Sequence, residues 1–173
     1  MIIKRLKLIG FIALMGVISL LDLNIVHAQD YKNGIGIRGG NNSGITFKHF
    51  IKETAAIEAI VNPYQHGLNL TLLYEKHAYA FKTKEFRWFY GLGGHVGVYN
   101  GYYYGTRFYN NQYDPYYNYN RNYVTLGIDG IIGLEYKITE IPFTIGIDFK
   151  PYVDILYFSE NYLDAALSVR YYW

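Results

Sequence analysis

From Phe143 to Ile155 the side chains alternate almost without a break. Phe143, Ile145, Ile147, Phe149, Val153 and Ile155 lie on one face, and Thr144, Gly146, Asp148, Lys150, Tyr152 and Asp154 on the other. The pattern returns at the end of the chain, where Leu163, Ala165, Leu167, Val169, Tyr171 and Trp173 oppose Asp164, Ala166, Ser168, Arg170 and Tyr172. A period of two is the signature of a strand with unlike faces, and no stretch after residue 28 holds an apolar period of 3.6. A helix bundle is therefore disfavoured, and so is a helical membrane protein, since no segment there has 18 consecutive apolar residues.

Further alternating runs precede these. Val124, Leu126, Ile128, Ile132, Leu134 and Tyr136 oppose Thr125, Gly127, Asp129, Gly133, Glu135 and Lys137. Trp88, Tyr90, Leu92, Val96 and Val98 oppose Arg87, Gly91, Gly93, His95 and Gly97, and Leu68 to Glu75 repeats the scheme. Weaker runs lie at 34–39, 44–51 and 54–61. The reading is an all-β chain of eight strands. Short polar turns at 52–53, 82–85 and 139–142 alternate with mostly longer connections at 41–43, 62–66, 99–122 and 158–161. That asymmetry predicts an antiparallel up-and-down transmembrane β-barrel with tight turns at one end. Pro151 cannot donate to a ladder, so a bulge, or a strand segment extending beyond the membrane, is expected there.

The first 28 residues are different in kind. Lys4, Arg5 and Lys7 precede a 14-residue apolar stretch, Leu8 to Leu21, and Val26-His27-Ala28 ends it in small-residue fashion. This predicts a signal peptide, 1–28, cleaved before a barrel domain at 29–173. Its removal takes Lys+Arg from 16 to 13 and Asp+Glu from 14 to 13, leaving a formally neutral chain. A basic nucleic-acid-binding surface is not expected.

Three features predict that the apolar face is the outer one. The polar face is rich in Gly, as a narrow interior demands. Aromatic residues (Phe86, Trp88, Tyr136, Phe143, Tyr171, Trp173) gather near strand ends on the apolar face, where membrane-interface girdles lie. The polar face also carries Arg38, Lys48, Arg87, Lys150 and Arg170 against Glu58, Glu75, Asp129, Glu135 and Asp148, five of each sign. Equal numbers predict a mutually neutralised luminal ion-pair network. Eight strands leave room only for side chains, so an open porin-like pore is not expected.

Ile132 to Lys137, Ile145 to Pro151 and Ala166 to Trp173 resemble the small eight-stranded outer-membrane barrels of Gram-negative bacteria. The likeness is to the OmpA/OmpX kind and to the outer-membrane β-barrel family of the Bacteroidetes. The resemblance implies residence in outer-membrane lipid as a monomer. It also implies that Leu167, Val169, Tyr171 and Trp173 form an insertion signal read by the barrel-assembly machinery.

Chemistry is sparsely signalled. Cys is 0 and no two His fall at a ligand spacing, so neither metal nor cofactor is expected. No nucleophile elbow or P-loop occurs, and no catalytic residue is assigned. A Ser159, His66 and Glu160 grouping is the one candidate for a lipid A-modifying activity, and a small-molecule binder or narrow channel is the other alternative. The segment 99–123 instead collects Tyr102, Tyr103, Tyr104, Tyr109, Tyr113, Tyr116, Tyr117 and Tyr119 among many Asn. Tyr gives large amphipathic contact area and Asn adaptable hydrogen bonds, so an extracellular protein or glycan ligand is expected here. The same Tyr would equally suit a headgroup-level belt.

Overall fold

The computed structural model describes residues 31–64, 67–81, 83–100, 122–156 and 163–173. They form eight strands: β1 (Asn33–Gly40), β2 (Gly44–Lys52), β3 (Ala55–Tyr64), β4 (Gly67–Tyr79), β5 (Phe86–Asn100), β6 (Asn122–Lys137), β7 (Phe143–Leu156) and β8 (Leu163–Tyr172). Each pairs antiparallel with its chain neighbour, and β8 pairs back to β1 from Gly34↔Tyr172 to Gly40↔Ala166, closing the barrel. The architecture is thus an all-β, up-and-down barrel, with no helix among the described residues.

Carrying the pair registers once around the wall, from Gly40 through Ala166, Asp148, Gly133, Phe89 and His77 to Thr54, returns to β1 about ten residues lower. Such a stagger tilts the strands by about 40° and leaves a bore that side chains can fill. Closure with stagger also leaves no free edge.

Alternation decides what points into that bore. Among the described residues, thirty large apolar side chains lie exposed on the outer surface, while twenty polar or charged residues are buried, against ten buried apolar ones. Glycine lets two rings lie flat across the inside wall. A methyl group at Gly127 would overlap the His95 ring paired beside it, and one at Gly133 would overlap the Phe89 ring. The inner residues are therefore packed ring over glycine.

Three sequence expectations change. β3 continues through Asn62, Pro63 and Tyr64, so the connection read as 62–66 is only residues 65–66; Pro63 sits at the strand's last positions opposite Leu68. With 41–43 also short, the far end is not uniformly the end of long loops. No bulge forms at Pro151 itself: Pro151 pairs with Leu163, and β6–β7 keeps one register from Tyr136↔Ile145 to Gly127↔Asp154. The shift comes later, where Leu126 pairs with Leu156 and Ile155 becomes the extra residue. A strand tolerates the missing donor where one ladder lapses, and β6–β7 has no pairs between Asp129↔Tyr152 and Ile132↔Phe149.

Candidate functional site

The interior has two halves. At the turn end, where 53–54, 80–85 and 138–142 connect the strands, β2, β3, β4 and β8 place Lys48, Glu58, Glu75 and Arg170 at one level. Lys48 Nζ lies 3.2 Å from Glu58 and 2.8 Å from Glu75. Arg170 spans to Glu58 at 2.5 Å and to Glu135 at 3.3 Å. Thr46 donates to Glu58, and Glu75 contacts the His77 ring at 2.9 Å. Removing one member would strand the charge it faces in a dry interior, at a cost of about 3–5 kcal/mol.

An aromatic floor closes this half. The Tyr31 ring stacks on Tyr172 at 5.0 Å and meets Phe50 edge-on at 5.1 Å. Its hydroxyl donates to Glu135 at 2.7 Å. Burial, reinforced by the Glu135 carboxylate, holds the Tyr31 phenol well above its ordinary pKa, so it stays a donor. Arg87 lies over the same ring, 5.0 Å from its centroid. Ile60, Leu73, Phe89 and Ile131 then form an apolar cluster on the β3–β6 wall above the ions.

The far half carries two further groups. Arg38 pairs with Asp148 and, at 2.7 Å, with Asp164. Its guanidinium also donates to the Asn42 carbonyl, and Asp164 accepts from the Asn42 amide. Asn62 donates to the carbonyls of Asn42 and Ser43, so the β1–β2 turn is pinned from inside. On the β5–β7 wall, Lys150 reaches Asp129 at 2.7 Å, and the His95 ring bridges Asp129 (2.7 Å) and Asp154 (2.8 Å). Ionised carboxylates only accept, so a ring with one on each nitrogen carries both protons.

All ten residues assigned to an interior ion-pair network are buried there. Their count was incomplete. Asp154 and Asp164 also point inward, giving among the described residues seven Asp and Glu against five Lys and Arg, with a charged His95 making six positive. Both share the inward parity of Asp148 and Arg170, the signal that marks them in the sequence. Leu167, Val169, Tyr171 and Trp173 are exposed on the outer face.

Beside His95 lies a polar recess of ≈ 30 Å³. Asn62, Asn69, Tyr99, Thr125 and Asp154 line it, together with Asn42, Lys150 and Tyr152. A volume of this size admits a few waters or one hydroxyl-bearing group, not a whole drug-sized ligand. Among the described residues, no group of three or more His, Asp or Glu is arranged to hold a metal. Of the described serines, Ser43 bonds Gly40, and Ser168 is buried with its hydroxyl unpartnered. Ser159, His66 and Glu160 lie outside the described residues. So do Tyr102, Tyr103, Tyr104, Tyr109, Tyr113, Tyr116, Tyr117 and Tyr119, and the segment 1–28. The chain matches no protein-family model and no curated protein.

Proposed function

We propose that the chain is an integral outer-membrane barrel of a Gram-negative bacterium, exported through a signal peptide cleaved after Ala28. Its interior is filled, and it acts without catalysis as a structural or surface-recognition component through the Tyr- and Asn-rich segment 101–121. The turn end faces the periplasm and the far end the cell exterior.

The observation that carries this reading is the inversion of polarity: charges fill the bore and apolar side chains cover the wall all the way round. In water, thirty exposed large apolar residues would drive association, whereas lipid solvates them. The height of the cover agrees. From Trp88 to Val98 on β5 the outward residues span about 25 Å at about 2.5 Å of height per tilted residue, the span of a hydrocarbon band. At its lower margin rings meet in pairs: Phe86 with Tyr136 at 4.7 Å, Phe143 with Tyr171 at 5.6 Å, and Tyr171 with Trp173 at 5.9 Å. On the β1–β4 side the same margin carries Lys76 and a His49–Asn33 hydrogen bond of 2.8 Å on the outer face. Aromatic and snorkelling polar residues at one level are what an interface selects.

Membrane fractionation with gel mobility before and after boiling tests the proposal. An outer-membrane protein that runs faster unboiled is expected. Recovery from the periplasm without detergent would overturn it.

A further inference from the structure

The wall of the barrel is not level. β1 and β2 hold 8 and 9 residues, β5 and β6 hold 15 and 16. Their turn ends are paired at the lower margin, Asn33 with His49, Gly34 with Tyr172 and Phe86 with Tyr136, so the surplus lies at the far end. At about 2.5 Å of height per tilted residue, β6 stands roughly 17 Å above β2. On the high side the apolar cover continues to Val98 and Val124; on the low side it stops at Ile37 and Ile45, and the turn at 41–43 follows directly. From Ile51 to Ile45 the outward apolar residues of β2 span only about 15 Å, well short of a hydrocarbon band of about 25 Å. The low rim is also fixed in place, since Arg38, Asn62 and Asp164 tie its turn to the interior.

The polar recess begins where the low wall ends. Its lining comes from β3 to β7 on one flank, and among the described residues only Asn42 lines the flank toward β1 and β2. In a bilayer level with the high side, that flank opens sideways into the far leaflet. We infer that the recess is a lateral port for the neutral, hydroxyl-bearing headgroup of a far-leaflet lipid, whose acyl chains lie on Ile37 and Ile45. This rests on the membrane reading above. The lining is chemically matched to hydroxyls: the Asn62 and Asn69 amides, the Tyr99 and Thr125 hydroxyls, and the Asp154 carboxylate offer donors and acceptors without an apolar side chain among them. At the recess the charges already balance, Lys150 and His95 against Asp129 and Asp154, so it offers no net positive charge to an anionic phosphate headgroup.

The absence of Cys makes the test clean. Nitroxide labels on Ser43→Cys and Leu126→Cys, in the full mature chain reconstituted into vesicles, report collisions with lipid-soluble oxygen and with an aqueous nickel chelate. Leu126 tests the membrane reading; Ser43 tests the port. Both labels shielded from nickel and reached by oxygen is the expected result. A lipid-buried Leu126 with a fully aqueous Ser43 overturns the port alone, and an aqueous Leu126 overturns both. In native mass spectrometry from mixed micelles, a neutral glycolipid should be retained at least fivefold over phosphatidylglycerol. Thr125→Val, which keeps shape and removes the hydroxyl, should abolish that preference while gel mobility stays that of a folded barrel; Asn69→Ala is the second variant. Equal retention of the two lipids, an unchanged preference in both variants, or equal binding of the free headgroup sugar overturns the port.

Discussion

In the turn half of the interior, Lys48, Arg170, Glu58, Glu75 and Glu135 are at most 1% exposed, roofed by Ile60, Leu73, Phe89 and Ile131 and floored by Tyr31, Phe50 and Tyr172. In the far half His95, Asp154 and Lys150 keep 4–6% exposure and border a recess. Both halves use the same ion-pair chemistry. The difference lies in what surrounds the charges. A dry surround makes each partner indispensable, because a stranded charge has no water to turn to; a wet margin lets solvent substitute.

The sharpest way to break this comparison is Arg170→Met. It leaves Glu58 and Glu135 facing an apolar chain and should cost about 3–5 kcal/mol in urea unfolding from vesicles. Leu73→Ala, which opens the roof over the ions, should cost about 2–4 kcal/mol in the same measurement. His95→Gln in the far half forfeits one of two carboxylate bonds beside the recess and should cost only about 1–2 kcal/mol. A loss equal to that of Arg170→Met would erase the distinction between the halves. Deleting Gly101 to Arg121 should change stability by less than about 0.5 kcal/mol, since Asn100 already pairs with Asn122 and a short turn can close that hairpin. A larger loss would make the Tyr-rich segment part of the scaffold. In planar bilayers the intact protein should pass no steady current; conductance would require the turn-half packing to open.

Strand number, order and facing were legible because alternation is local: Phe143 to Lys150 declares its two faces without reference to any neighbour. Apolar doublets hid the roof. In Leu72-Leu73, Trp88-Phe89 and Ile131-Ile132 parity sends one residue out and the other in, but an apolar inward member carries no mark of its place in a charged bore. Asp154 and Asp164 were legible by parity, yet the charge balance passed over them. Pro63 falls within the connection that the sequence places at 62–66, yet at a strand's final positions its missing donor costs little and β3 runs on through it. Register is the property that single strands do not encode. The shift at Ile155, the ten-residue stagger and the sloping rim all arise from how strands slide on one another, and the recess arises from the rim.

The β1–β8 pairing joins the first strand to the last, with Lys32 and Asn33 donating to the Trp173 carbonyl. Every other pairing can form as a hairpin between chain neighbours, but this seam must wait until β8 has emerged. Contacts of such sequence separation are slow to form. Until then two strands present bare backbone, so a nascent molecule is most vulnerable to self-association in the interval before β1 and β8 meet. Any factor that escorts this chain to its destination has that one junction to guard.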